Sequence, residues 1–128
     1  NKYENKKIIF KEKNKVIFTG RKNLIRRSLN NFIDNSIKYG ENIYINLKRN
    51  SNNITINIED DGPGISSKEH ENVFKPFYKI DKSRGDSKSS VGLGMSIASD
   101  IIQSHGGNIK LEKSSLLGGL KVKIFLPL

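Results

Sequence analysis

Apolar residues recur every three or four positions between residues 21 and 40, which is the spacing of a helix with one buried face. The apolar members of this pattern are Ile25, Leu29, Phe32, Ile33 and Ile37. Gly40 follows the last of them and is a plausible stop signal. The pattern therefore predicts a long helix that ends at Gly40.

Strict alternation of apolar and polar residues marks the strands. IYINLK alternates at Ile43, Ile45 and Leu47, and NITINIE alternates at Ile54, Ile56 and Ile58. Because Asn and Ser occupy positions 50–53 between the two runs, the runs predict adjacent antiparallel strands. IIFK and KVIFT near the N-terminus predict an edge hairpin or paired strands, and NIKLEK and LKVKIFL predict two closing strands.

The remaining segments have turn, helix and loop patterns. DDGPGI predicts a turn, and SSKEHENVF predicts a short helix capped by Ser66 or Ser67. Residues 79–91 are polar without apolar periodicity, which indicates a mobile lid. GLGMSIASDIIQSHGG restores helical spacing and ends at Gly106 and Gly107, where a left-handed cap is expected.

Composition narrows the class of protein. A chain of 128 residues predicts a single domain over 1–128, and it contains no cysteine and no apolar run long enough to span a membrane. The net charge of +10 raises the question of nucleic acid. The lysines are scattered, however, without a basic stripe interleaved with aromatics. We therefore expect no nucleic-acid partner and favour a small ligand rich in phosphate.

One stripe of the first helix carries polar side chains. Asn31, Asn35 and Lys38 fall together opposite the apolar face centred on Leu29. A carboxamide oxygen suits Mg²⁺, and a neighbouring Lys favours phosphate. The alternative is a polar helix face that simply contacts water.

A carboxylate at a strand end forms the second candidate. Asp60 closes the Ile54 to Ile58 strand and is followed by Gly62 and Gly64, so the backbone can approach a flat ligand closely. Asp60 would then accept a hydrogen bond from an exocyclic amine such as that of adenine. The alternative is an ordinary Asp-Gly turn.

Glycines at the start of the last helix form the third candidate. Backbone N–H groups of Gly92, Leu93 and Gly94, at a helix N-terminus, could receive phosphate oxygens. The dinucleotide and P-loop glycine motifs are both absent, which disfavours those two nucleotide folds. Phe74 and Phe77 could anchor the lid or belong to the core.

Four segments, in their order along the chain, resemble the N, G1, F and G2 boxes of sensor histidine kinase catalytic domains. They are NNFIDNSIKYG, IEDDGPGI, VFKPFYKIDKSR and SVGLGMSI. The match covers residues 24–128, and EDDGPGI with the closing GGLKVKIFLPL is most similar to osmolarity sensors of the EnvZ type. The resemblance implies an α/β (α+β) fold, the Bergerat ATP-binding fold. In it a mixed, mostly antiparallel sheet packs on three helices as a two-layer sandwich.

The resemblance also implies ATP and Mg²⁺ as ligands and assigns roles to residues. Asn35 resembles the Mg²⁺ ligand, and Asn31 lies one helical turn before Asn35. Asn35 and Lys38 together resemble the catalytic residues. Lys38 and Tyr39 would reach the phosphates or the ribose, and Asp60 resembles the carboxylate that reads adenine.

The resemblance places further ATP-binding residues in the turn, the F box and the second glycine box. They are Gly62, Gly64, Ile65, Phe77, Arg84, Gly92, Leu93 and Gly94. Ser90 stands where many relatives have the first glycine of the second box, and this departure bears on lid flexibility and on nucleotide affinity.

In such kinases the γ-phosphoryl group passes to a histidine on a dimerisation domain, then to an aspartate of a response regulator. Neither His70 nor His105 has the sequence context of that histidine. The resemblance therefore implies a monomeric cytoplasmic fragment of a homodimer that is anchored in the inner membrane and acts on an OmpR-like regulator. The alternatives are other ATPases of this superfamily, a nucleotide-sensing module, and a basic interaction domain without a ligand.

Overall fold

The computed structural model describes residues 7–12, 20–76 and 94–128. Two α-helices and five strands form its regular part. The helices are α1 (Lys22–Tyr39) and α2 (Gly94–Ser104). The strands are β1 (Lys7–Glu12), β2 (Asn42–Arg49), β3 (Asn53–Asp60), β4 (Asn108–Lys113) and β5 (Leu120–Pro127).

The strands form one mixed sheet in the order β1-β2-β3-β5-β4. β1 runs parallel to β2, and the other three pairings are antiparallel. β1 and β2 can be parallel because α1 lies between them in the chain and carries it back to the same end of the sheet. β3 is central and is paired along both of its sides.

Alternation along the strands sends one set of side chains to the helix-covered face. The register places Ile45 opposite Ile58 and Ile58 opposite Val122, all buried. Phe32 of α1 and Ile102 of α2 complete this core and are fully buried. The other face of β2 to β5 carries mostly polar side chains, such as Asn46, Asn57 and Lys123. The structure therefore confirms the predicted two-layer α/β sandwich.

The predicted first helix is confirmed as α1, and its buried face includes small polar residues. Ser28, Phe32 and Ser36 are buried at four-residue intervals along it. The Ser28 hydroxyl donates to the carbonyl of Ala98 in α2 at 3.0 Å, which satisfies a polar group inside the helix contact. This hydrogen bond fixes how the two helices face each other.

The end of α2 has the predicted left-handed cap. Gly106 has φ +77°, its N–H donates to Gln103, and the N–H of Gly107 donates to Ile102. These are the two hydrogen bonds of a Schellman motif. His105 belongs to the same corner, where its Nε2 accepts the backbone N–H of Arg21 at the start of α1 at 3.1 Å. This contact gives His105 a structural role.

Two expectations are corrected. Residues 66–74 form two 3₁₀ turns, Ser67–Glu69 and Asn72–Phe74, instead of a short α-helix. Ser66 occupies the cap position, but its side chain makes no capping bond, because the backbone N–H of Glu69 bonds to its carbonyl oxygen instead. The strand β1, which contains IIFK, pairs in parallel with β2, and its expected pairing with KVIFT lies outside the described residues.

Some expectations fall outside the described residues. They concern KVIFT at residues 15–19, the lid at 79–91, and the site residues Phe77, Arg84, Gly92 and Leu93. Phe74 is described, and it packs against the core. Within the described ranges, no helix combines the length and the apolar character needed to cross a membrane.

Candidate functional site

Asp60 lies at the end of the central strand β3 and is almost fully buried, with 2% of its surface exposed. Its Oδ1 accepts two backbone N–H groups, from Gly62 at 2.9 Å and from Leu120 at 3.2 Å. These bonds fix the carboxylate between the turn after β3 and the start of β5. The described residues offer no comparable pair of donors to its second oxygen, Oδ2, which therefore keeps its capacity to accept.

Burial raises the pKa of Asp60 above its ordinary value of 3.8, since a charged carboxylate is desolvated there. The N–H groups of Gly62 and Leu120 and the nearby Ser36 hydroxyl oppose this effect, and the charge of Asp61 adds to it. The Ser36 hydroxyl is itself buried and makes no well-formed hydrogen bond to another described residue. A buried carboxylate beside an unsatisfied hydroxyl is a donor and acceptor pair suited to a polar ligand.

Three glycines let the backbone close around Asp60. A Cβ on Gly119 would lie 2.4 Å from the Asp60 carbonyl oxygen and also 2.4 Å from its Oδ1. A Cβ on Gly40 would lie 2.9 Å from the Asp60 Cβ, and one on Gly62 would lie 2.7 Å from the Tyr39 carbonyl oxygen. No other residue fits these three positions without moving the carboxylate or the end of α1.

The polar stripe of α1 lies at the boundary between core and solvent. Asn31 and Asn35 are partly buried, whereas Lys38 is exposed. The Asn31 Nδ2 donates to the carbonyl of Gly94, the first residue of α2, at 3.2 Å. The structure thus contradicts a stripe that only contacts water, because Asn31 joins α1 to the start of α2.

The end of this stripe lies beside Asp60. The Lys38 Nζ is 5.3 Å from the centre of the Tyr39 ring, which is half exposed.

Among the described residues, no group of three or more His, Cys, Asp or Glu side chains converges on one point. A cation at this position would therefore depend on a carboxamide oxygen such as that of Asn35, on water and on ligand phosphates, which is the donor set Mg²⁺ prefers.

The turn after Asp60 borders a cavity of about 490 Å³ between residues 63–67, His70 and the β4–β5 connection. Gly64 and Ile65 both line it, and Gly64 has φ +74°, a backbone conformation that favours glycine. The His70 Nε2 lies 2.9 Å from the Ile65 carbonyl oxygen and so holds the end of the turn. His70 therefore has a structural contact.

The structure brings several of the predicted site residues together around the junction of α1, β3 and α2. They are Asn31, Asn35, Lys38, Tyr39, Asp60, Gly62 and Gly94. Two residues at this junction were not predicted: Ser36 and Gly119. Ser36 had a detectable signal, since a hydroxyl four residues after Phe32 on an apolar face must be buried. Gly119 had no local signal, because its contact with Asp60 spans 59 positions of the chain.

Comparison with known proteins agrees with this geometry. The model of the family described as histidine kinase-, DNA gyrase B-, and HSP90-like ATPases matches residues 20–128. The ATP-binding domain of PrrB from Mycobacterium tuberculosis superimposes with a TM-score of 0.79 and 25% identity, covering 98% of this chain and 82% of that one. The catalytic domain of the histidine kinase ThkA gives a TM-score of 0.81 and 25% identity, covering 96% and 80%.

The chain therefore belongs to the family of histidine kinase-, DNA gyrase B- and HSP90-like ATPases, and ATP is the ligand of that class of domain. Within this family its curated relatives include sensor histidine kinases. CpxA of Escherichia coli K12 is 38% identical over 110 residues, which cover 85% of this chain and 24% of CpxA. The chain thus spans about a quarter of the length of this relative.

Proposed function

We propose that this chain binds Mg-ATP and, within a longer protein, presents the γ-phosphoryl group to a histidine on a helical dimerisation domain. From there the group passes to an aspartate of a response regulator. The observation that carries the proposal is the buried Asp60, whose Oδ1 is fixed by two N–H groups beside the C-terminal end of α1. Single-domain organisation over residues 1–128 is part of the proposal.

The adenine side of the proposed site is formed around β3. The free acceptor capacity of Asp60 suits an exocyclic amine, and the Ser36 hydroxyl can donate to a ring nitrogen. Gly62 and Gly64 keep the turn thin enough for a flat ring, and Ile65 supplies apolar surface at its end. A purine with an amine is favoured over one with a carbonyl at that position, because a carboxylate cannot donate to a carbonyl.

The phosphate side is formed by α1 and the start of α2. Asn35 would hold Mg²⁺, which neutralises phosphate charge, while Asn31 holds α1 to Gly94. Lys38 and Tyr39 extend from the end of α1 toward phosphate or ribose. The proposed site also includes four residues that are assigned from the sequence alone: Phe77, Arg84, Gly92 and Leu93. Transfer in such a site depends on positioning and on charge stabilisation, with little covalent chemistry by the domain.

The phosphoacceptor would belong to another domain. Both histidines of this chain already make structural contacts, His70 with Ile65 and His105 with Arg21 and Ile101. We propose a monomeric fragment whose partners are its own dimerisation domain and an OmpR-like regulator, in a homodimer anchored in the inner membrane. Nucleic acid is not among the proposed partners.

Thermal unfolding with and without Mg-ATP tests the binding step. A ligand at about 100 times its dissociation constant adds roughly 2.7 kcal/mol, which raises the Tm of a domain of this size by about 10 °C. Asn35→Ala should abolish most of this shift. Asn30→Ala, on the exposed side of the same helix, is the matched control and should keep it.

Absence of any shift for the natural chain at millimolar Mg-ATP would contradict the proposal. An equal shift for Asn35→Ala would contradict only the metal assignment. Transfer of labelled phosphate to a purified dimerisation domain then separates a kinase from a module that binds ATP only to dock with a partner.

A further inference from the structure

Asp61, the neighbour of Asp60, is hydrogen-bonded to the connection between α1 and β2. Its Oδ1 accepts the backbone N–H groups of Glu41 at 2.8 Å and Asn42 at 3.1 Å. Its Oδ2 accepts the side-chain Nδ2 of Asn42 at 2.6 Å. One carboxylate thus closes the whole turn that follows α1.

These contacts join the two halves of the proposed nucleotide site. The turn begins directly after Lys38 and Tyr39 of α1, and Asp61 begins the turn that follows Asp60 of β3. Gly40 and Gly62 allow the two backbones to touch, and the β2–β3 ladder ends here with Ile43 opposite Asp60. The hydrogen bonds of Asp61 extend these directional contacts beyond the ladder to Glu41 and Asn42, and bonds to a charged acceptor are the stronger kind.

We propose that Asp61 is a positioning residue for nucleotide binding, which fixes Lys38 and Tyr39 at the end of α1 relative to Asp60. The inference rests on the proposed function and extends it to a residue that does not itself touch the nucleotide. The hydrogen bonds from Asn42 and Glu41 also hold the pKa of Asp61 below its ordinary value, so the carboxylate is charged at neutral pH.

Loss of Asp61 should have little effect on the adenine side of the proposed site. Asp60 keeps its own bonds to Gly62 and Leu120, and the carbonyl of Asp60 accepts the N–H of Gly119 at 3.0 Å. Removing Asp61 would therefore loosen the phosphate side and leave the adenine side in place. This difference separates positioning from a general loss of stability.

The test compares calorimetric affinities of Mg-ATP and adenosine for the natural chain and three variants, all at a temperature where each is folded. Asp61→Ala should weaken Mg-ATP binding by about tenfold while changing adenosine binding little. Asp61→Asn keeps an oxygen for the two backbone donors, so its affinity for Mg-ATP should lie between those of the natural chain and Asp61→Ala. Asp100→Asn, an exposed residue of α2, matches the change in charge and should behave like the natural chain.

The sign of the change excludes a purely electrostatic role. Removing a negative charge near phosphates would by itself strengthen Mg-ATP binding, so weaker binding identifies lost positioning. Asn42→Ala removes the same Oδ2 contact from the other side. Its effect and that of Asp61→Asn should therefore not add in the double variant. This pair carries the test if Asp61→Ala fails to fold.

Unchanged Mg-ATP affinity in Asp61→Ala would overturn the inference, as would an equal loss of Mg-ATP and adenosine affinity. If the natural chain binds neither ligand, the proposed function fails and the inference fails with it. If the natural chain binds Mg-ATP and the variants bind it equally well, only the inference fails.

Discussion

Asp60 is a residue whose position opposes the stability of the folded domain. Its raised pKa means that folding favours the protonated carboxyl. The protonated carboxyl therefore contributes its full stabilisation at pH values below 3.8, the ordinary pKa that applies to the unfolded chain. This contribution is lost as the pH rises through the higher pKa of the folded chain. Ionisation of Asp60 therefore lowers the free energy of unfolding relative to the protonated form. A binding role explains why such a group occupies this position.

Asp60→Asn should be more stable than the natural chain at pH 7 without nucleotide, since the amide oxygen can still accept from Gly62 and Leu120. The difference should shrink as the pH falls, because protonation of Asp60 removes the buried charge. Urea unfolding across this pH range measures it. The variant should at the same time lose its stabilisation by Mg-ATP, because an Asn offers a different donor and acceptor pattern.

Asp100→Asn, which removes one exposed carboxylate from α2, is the control for the change in net charge. A natural chain that is more stable than Asp60→Asn at pH 7 would contradict the raised pKa as the dominant effect. A variant that gains stability and still binds Mg-ATP would instead contradict the role of Asp60 in reading adenine.

Elements that depend on local signals were predictable, and those that depend on distant contacts were not. The spacing of Ile25 to Ile37 and the double glycine after α2 predicted both helices, because one face and one cap are local properties. The parallel pairing of β1 with β2 has no local signature, since it depends on how α1 returns the chain. The two 3₁₀ turns at residues 67–74 were misread because charged residues there also suit a helix.

The end of α2 gives a test at the level of one element. Gly106→Ala forces a side chain into the left-handed region, and its Cβ would lie 3.3 Å from the Pro127 Cγ. We expect a loss of about 1 kcal/mol in the free energy of unfolding by urea. Binding of Mg-ATP should be unaffected, because Gly94 lies at the opposite end of the helix.

Gly118→Ala is a matched control, because Gly118 has φ +90° with nothing within 4 Å of a Cβ. It isolates the backbone cost from the contact with Pro127, so its loss should be equal or smaller. A stable Gly106→Ala beside a destabilised Gly118→Ala would contradict the importance of the cap.

At the scale of the whole molecule, 23 Lys plus Arg against 13 Asp plus Glu give a net charge of +10. Such an excess repels itself in the compact state and attracts anionic ligands. Raising NaCl from about 10 to about 150 mM shortens the screening length from roughly 30 to 8 Å. The added salt should therefore raise the Tm of the ligand-free chain and weaken Mg-ATP binding several-fold.

Adenosine is the control ligand, since it has no phosphate and its affinity should change little with salt. Differential scanning fluorimetry and calorimetry measure the two effects. A Tm that falls as NaCl rises would contradict self-repulsion as the dominant effect of the net charge.

The central position of β3 has a consequence for how the domain fluctuates. Its amides are bonded to β2 on one side and β5 on the other, so they exchange with solvent only when the sheet opens. Asp60 lies at the end of this strand, whose amides should exchange slowly. Adenine would thus be recognised at the end of a strand that is held on both sides. Nucleotide entry and exit would require motion only of elements outside β3. Asp60 would keep its position each time a nucleotide binds and leaves.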